Sequence, residues 1–325
     1  MIHADDRRAS LERWLAARLN GARFSLAPAS EDASFRRYFR ATLEDGTTYV
    51  AMDAPPDKED CRPFVHVAHL LAAAGVHAPR VHAQDLQAGF LLLADLGTRT
   101  YLQELNEANA EGLFGDALDA LVRWQLATRA GELPPYDEAL LRREMSLFPD
   151  WYIARHRGIE LPEKQRQALE HIFGLLVASA LAQPRVFVHR DFMPRNLMVC
   201  EPNPGVLDFQ DAVLGPITYD VVSLFRDAFL SWEEERVLDW SVRYWQRARS
   251  AGLPVDADFG EFWRALEWMG LQRHLKVLGI FARINYRDGK PRYLADTPRF
   301  IGYARAVARR YAALAPLLKL LDDVA

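Results

Sequence analysis

Two short clusters hold the residues able to do chemistry. His189-Arg190-Asp191 leads to Asn196, and Asp208-Phe209-Gln210 begins twelve residues after that Asn. An Asp that accepts a hydroxyl proton, an Asn five residues on that turns back to magnesium, and a later carboxylate on the metal bridging the ATP phosphates are the parts of a phosphoryl-transfer centre. Each cluster alone is a weak signal; in this order and separation they are strong. Asp and Asn offer the hard oxygen ligands that a small divalent cation prefers. Asp191 is therefore the expected catalytic residue, and Asn196 and Asp208 are the expected metal ligands.

These groups need elements to hold them. Val186-Phe187-Val188 predicts a short strand ending at His189. Leu197–Cys200 and Val206-Leu207 are two further apolar runs, joined by Glu201-Pro202-Asn203-Pro204-Gly205, whose Pro, Asn and Gly suit a turn. A hairpin there puts Asn196 just before one strand and Asp208 just after its partner. Upstream, Ser10 predicts an N-cap for a helix over 11–19. Residues 34–42 and 47–52 flank Asp45-Gly46 as a hairpin, a helix over 59–74 ends at Gly75, and 76–82 and 89–94 read as strands. From Gly97 the pattern turns helical, over 101–108, 112–129, 137–157 and 163–182, with a further helix over 221–229. Ser231-Trp232-Glu233-Glu234 predicts a capping box, Asp258 opens a long helix to about Ile284, and Thr297 opens a last one. The expected fold is α+β, with a β-rich nucleotide-binding lobe over 1–96 and a helical catalytic and substrate-binding lobe over 97–325.

Composition bounds the partners. At 325 residues and 50% hydrophobic, the chain has ample core for one large or two medium domains. A net charge of −4 is too balanced to predict nucleic acid or an anionic membrane as partner. No apolar run approaches the length of a membrane span. Residues 1–19 carry charges where a signal peptide would be apolar. The two cysteines, Cys61 and Cys200, fit the reduced thiols of a cytoplasmic protein. No protein partner is implied.

The chain resembles the aminoglycoside phosphotransferase-like kinases, whose fold is similar to that of protein kinases, over nearly its full length. Residues 32–40, 52–56, 89–97, 188–198, 208–216 and 272–281 carry the resemblance. Within that superfamily the less generic segments look most like the anomeric sugar kinases that phosphorylate N-acetylmuramate and N-acetylglucosamine in cell-wall recycling. The resemblance implies a two-lobe kinase-like fold and ATP and Mg2+ as cofactors. It also implies transfer to an amino sugar's anomeric hydroxyl, and adenine contacts through backbone groups of Ala94 to Leu96. Two departures stand out. The nucleotide loop has no Gly-x-Gly-x-x-Gly; Glu31-Asp32-Ala33-Ser34 stands there, with Ser34 offering a hydroxyl. The strand lysine is missing as well. Lys58 is the only lysine in the first 100 residues and lies past Pro55-Pro56, while Met52 or Asp53 stands where lysine is expected. ATP phosphates call for a cation. Arg37, counted onto one face with Phe35 and Phe39 above the nucleotide, is the candidate, with Arg36 and Arg40 on the other face.

Further roles come from the same pattern. Arg195 is a candidate contact for the substrate or the transferring phosphate. Gln210 and Asp211 border the implied acceptor pocket. His189 is expected to brace the loop against backbone near Asp208, and Asp220 to accept backbone hydrogen bonds from the loop. Arg273 and His274, with Lys276 on one predicted helix, are candidate sugar contacts. From Val221 onward, 17 Lys or Arg stand against 13 Asp or Glu, which favours a carboxylate-bearing acceptor over a polycationic aminoglycoside. Choline and homoserine stay open as acceptors, choline because Trp232, Trp240, Trp245, Trp263 and Trp268 could build an aromatic cage. A binding-only pseudokinase is the alternative from another class. The missing lysine argues for it, and the intact Asp191, Asn196 and Asp208 argue against it.

Overall fold

The computed structural model describes residues 4–30 and 35–324. In chain order the elements begin with helix α1 (Ala4–Arg18), strands β1 (Phe24–Ser30), β2 (Arg37–Leu43) and β3 (Thr48–Asp53), and helix α2 (Arg62–Ala73). Strands β4 (Val81–Asp85) and β5 (Phe90–Ala94) precede helices α3 (Tyr101–Glu104), α4 (Ala110–Leu126) and α5 (Glu138–Met145). A π-helical segment, Phe148–His156, leads to α6 (Glu163–Ala182). Next come the short strands β6 (Arg185–Val188), β7 (Leu197–Met198), β8 (Gly205–Val206) and β9 (Val213–Pro216). The chain continues with α7 (Tyr219–Phe225), α8 (Glu234–Ser250), α9 (Phe259–Asp288), α10 (Thr297–Arg310) and α11 (Ala315–Val324). It divides into two compact units, Met1–Ala120 with Arg195–Asp211, and Leu121–Pro194 with Ala212–Ala325.

The first unit is built on an antiparallel sheet in the order β1-β2-β3-β5-β4. Pro28 hides β1 from a sequence reading, because proline belongs in a strand only at an edge, and β1 is the edge. One face of the sheet is closed by α1. Leu11 and Leu15, one helical turn apart, pack with Phe39, Ala51, Phe90 and Leu92. Ser10 does not cap this helix; it lies inside it and donates to the Asp6 carbonyl at 2.9 Å. The β7–β8 hairpin pairs Leu197 with Val206 and Met198 with Gly205, as the turn sequence predicts.

The second unit is helical. Its centre is α9, buried along most of its length, against which α5, the π-helical segment, α6, α7, α8 and α10 pack. The predicted helix over 137–157 breaks after Met145, shortly before Pro149. There a Cβ on Gly279 of α9 would stand 2.3 Å from the Leu147 backbone, so only glycine permits the approach. Ser231 forms no capping box; its hydroxyl meets Tyr303 OH at 2.8 Å, and Glu233 takes the cap position. Strands β6 and β9 form an antiparallel ladder from Arg185↔Pro216 to Val188↔Val213, which delivers His189 at its end. No helix among the described residues is long and apolar enough to cross a membrane.

Candidate active site

In the first unit, the sheet face away from α1 borders a cavity of about 300 Å³. Tyr38 and Arg40 of β2, Val50 of β3 and Leu93 of β5 line one wall. Ala94 to Thr98 form the rim, and Met198, Leu207 and Phe209 supply apolar surface from the hairpin and its C-terminal continuation. A Cβ at Gly205 would stand 2.7 Å from Leu96 Cδ1 and 2.8 Å from Cys200 Sγ, so this glycine lets the hairpin come close beneath the rim. Arg40 fixes the rim from below. It grips Asp95 with two nitrogens, at 2.5 and 3.0 Å, and donates to the Gly97 carbonyl at 2.9 Å. An apolar slot edged by fixed backbone polar groups suits a flat heteroaromatic ring.

The other end of the cavity is polar. Asn196 and Asp208 both line it, and Asn196 Nδ2 lies 3.4 Å from Asp208 Oδ2. The hairpin produces this meeting, since Leu207 N–H donates to the Asn196 carbonyl at 2.9 Å, just inside Asp208. Asp208 has φ +62°, a left-handed conformation that a non-glycine residue adopts at some cost. A carboxylate and an amide oxygen leave the remaining positions of a small cation to waters and phosphate oxygens, which is how magnesium is usually held. The donor set fits that ion.

In the second unit, the segment after β6 is held as tightly. The buried Asp220 carboxylate accepts from His189 N–H at 2.7 Å and from Arg190 N–H at 3.0 Å. Burial pushes this carboxyl up to about 7; the two N–H donors oppose that rise, and neighbouring Asp191 adds to it. Arg190 has φ +76°, and its guanidinium reaches Glu144 on α5 at 2.5 Å. Glu144 also takes Lys276 at 2.9 Å and the Tyr136 hydroxyl. Burial works against the Glu144 charge, yet Lys276 and Arg190 outweigh it and hold the carboxyl down at about 2. The partly exposed Asp191 donates its N–H to His189 Nδ1 at 3.2 Å. So His189 braces the Asp191 backbone itself, where sequence predicted a brace near Asp208.

The predicted site residues divide by location. Asn196, Asp208, Ala94, Leu96 and Arg195 all line the cavity of the first unit. Ala94 N–H is taken by the Arg80 carbonyl at 2.8 Å. Arg195 stands on the side of Asn196 and Asp208, and Asp211 is exposed. Gln210 turns back to donate to Asp208 Oδ1 at 2.8 Å, so it supports that carboxylate. Ser34 lies outside the described residues.

Two expectations are corrected. Arg37 faces away from the cavity and pairs with the fully buried Asp53, which Arg7 of α1 also grips. The alternation along β2 is as counted, but the cavity takes Tyr38 and Arg40, because Phe39 enters the core under α1. His274 is a core residue, 2% exposed, packed against the rings of Phe300 and Tyr303. Burial, then Arg273 and Arg226, hold it neutral, and it lines a cavity of about 20 Å³. Arg273 is 3% exposed, and its Nη2 lies 3.8 Å from Met193 Sδ, two residues beyond Asp191.

A nucleotide-shaped slot ending in an Asn–Asp pair, and a separately braced Asp loop, are the equipment of a phosphotransferase. Residues 25–259 match the phosphotransferase enzyme family, and the chain belongs to it. It is an ATP-dependent phosphotransferase with a kinase-like fold. The chain is 61% identical, over 92% of its length and 88% of the relative's, to an N-acetylmuramate/N-acetylglucosamine kinase of Pseudomonas aeruginosa. A protein of the same description from Neisseria meningitidis is 52% identical over 98% of this chain and 96% of its own. Among solved structures, an ADP-bound aminoglycoside phosphotransferase superposes with a TM-score of 0.59 at 15% identity, covering 91% of this chain and 97% of that one.

Proposed function

We propose that this enzyme transfers the γ-phosphoryl group of ATP to the anomeric hydroxyl of N-acetylmuramate and N-acetylglucosamine, releasing ADP and the α-1-phosphate. The observation that carries the acceptor is the near-full-length similarity to relatives of that description. Asp191 accepts the proton of the attacking hydroxyl as the new O–P bond forms and the bond to the β-phosphate oxygen breaks. The anomeric hydroxyl is the most acidic in a reducing sugar, so a carboxylate held in place suffices. Asn196 and Asp208 would hold magnesium, and bound there the ion would neutralise charge on the phosphate oxygens. Ala94 and Leu96 would meet adenine, and Arg195 the transferring phosphate.

On the acceptor side, Arg273 supports the reading. Its Nη1 is buried with no hydrogen-bond partner among the described residues, and a carboxylate such as that of N-acetylmuramate would satisfy it. Asp211 is retained as a candidate for sugar hydroxyls. The reading keeps residues 1–96 as the nucleotide lobe and 97–325 as the catalytic and substrate lobe, and it places the enzyme in the cytoplasm, where ATP is available. Phosphorus NMR of the product decides the acceptor position. Coupling of the phosphorus to the anomeric proton is expected; a 6-phosphate, or turnover of choline or an aminoglycoside with neither sugar used, would overturn it.

A further inference from the structure

Phosphate oxygens brought beside Asp208 need a fixed cation, and β3 supplies none. On the cavity face of that strand Val50 is followed by Met52, which is fully buried and pairs in register with Tyr38. Asp53 points to the opposite face. Arg40 lines the cavity, but it is committed to Asp95 and the Gly97 carbonyl at the rim.

Arg36 is differently placed. It stands immediately before β2, two residues from Tyr38 and four from Arg40. Its side chain is only 12% exposed, and its Nε lies 3.5 Å from Glu59 Oε2, in the connector before α2. Burial works against its charge, and Tyr38, Glu59, Asp208 and Asp211, in that order, favour the cation and outweigh it. Met52 pairs with Tyr38, so Arg36 stands two residues from Met52's partner, a diagonal that a side chain as long as arginine can span. Glu59 belongs to the segment that starts α2, and Phe64 of α2 packs on Phe209 at 4.6 Å, next to Asp208. One acidic tether therefore ties the cation to the element that backs the metal carboxylate.

We propose that Arg36, held by Glu59, is the cation that binds the phosphates of ATP in this chain, in the place that β3 leaves to Met52. A guanidinium has five donors, so one edge can stay with Glu59 while another takes phosphate oxygens. This role of Arg36 rests on the ATP-dependent reading but not on the identity of the acceptor.

The test is binding of adenosine, ADP and Mg–AMP-PNP to the full chain by calorimetry, with no sugar present. Arg36→Ala should weaken Mg–AMP-PNP by about 10- to 100-fold, the scale of a lost charge-assisted pair, and adenosine by less than about twofold. Arg36→Lys should recover part of that loss. Glu59→Gln should lose less than Arg36→Ala, and the double variant should be no worse than Arg36→Ala alone, because the two residues act as one unit. Arg37→Ala should leave the ADP-to-adenosine ratio unchanged. Equal losses for adenosine and AMP-PNP in Arg36→Ala, no loss at all, or a phosphate-dependent loss in Arg37→Ala would each overturn the assignment. A wild type that binds AMP-PNP but phosphorylates neither sugar would refute the proposed acceptor while the Arg36 result stood.

Discussion

Asp191 and asparagine have nearly the same shape, so Asp191→Asn should keep the fold and ATP affinity while removing the proton acceptor. Turnover should fall by about 100-fold or more, the usual scale for a positioned base; a variant retaining half of wild-type activity would show that Asp191 has another role. The metal pair makes a graded prediction. Asp208→Ala removes the charged ligand and should abolish productive magnesium–ATP binding, whereas Asn196→Ala removes a neutral one and should only raise the magnesium requirement. Magnesium titrations of both variants check the order. An unchanged requirement in Asp208→Ala would remove the metal assignment. At this scale the meeting of Asn196 and Asp208 was legible in the sequence, because a local hairpin joins them.

Among the elements, α5 carries the most exposed energetic claim. Glu144 sits buried between Arg190, Lys276 and Tyr136, so Glu144→Gln strands two cations and should destabilise the protein by about 3–5 kcal/mol in denaturant titrations. A pH dependence comes with it. The folded carboxyl lies at about 2 and its ordinary value is 4.5, so its contribution is fully present above 4.5 and is lost as pH falls through about 2. The slope of stability against pH across that window should flatten in Glu144→Gln. An unchanged slope would mean that Glu144 is not the group responsible. Element boundaries were legible where periodicity and caps agree. The helix predicted over 163–182 is α6, Glu163–Ala182, and Asp258 caps α9 by accepting from Gly260 N–H at 2.6 Å. They were not legible at Pro28 or Pro149, where proline is tolerated for reasons of position in the fold.

At the scale of the whole molecule, the first unit is discontinuous in sequence: residues 195–211 belong with 1–120. Val199 N–H bonds the Arg99 carbonyl at 2.8 Å and Val206 N–H the His77 carbonyl at 2.7 Å, so the hairpin is stitched to segments about a hundred residues away. ADP should therefore protect 93–97 and 197–207 together in hydrogen exchange. Protection confined to 93–97 would show that the hairpin is no part of the nucleotide site. The sequence by itself determined the approach of Asn196 to Asp208, the β7–β8 turn, the start of α9 at Asp258 and the alternation along β2, because each depends on groups a few residues apart. Only the tertiary structure decided which face of β2 meets the cavity. Alternation is symmetric until α1 docks on Phe39 and leaves Tyr38 and Arg40 for the other side. It also decided that His274 is core, since a helix buried all round gives its polar residues no face that sequence can mark as a site.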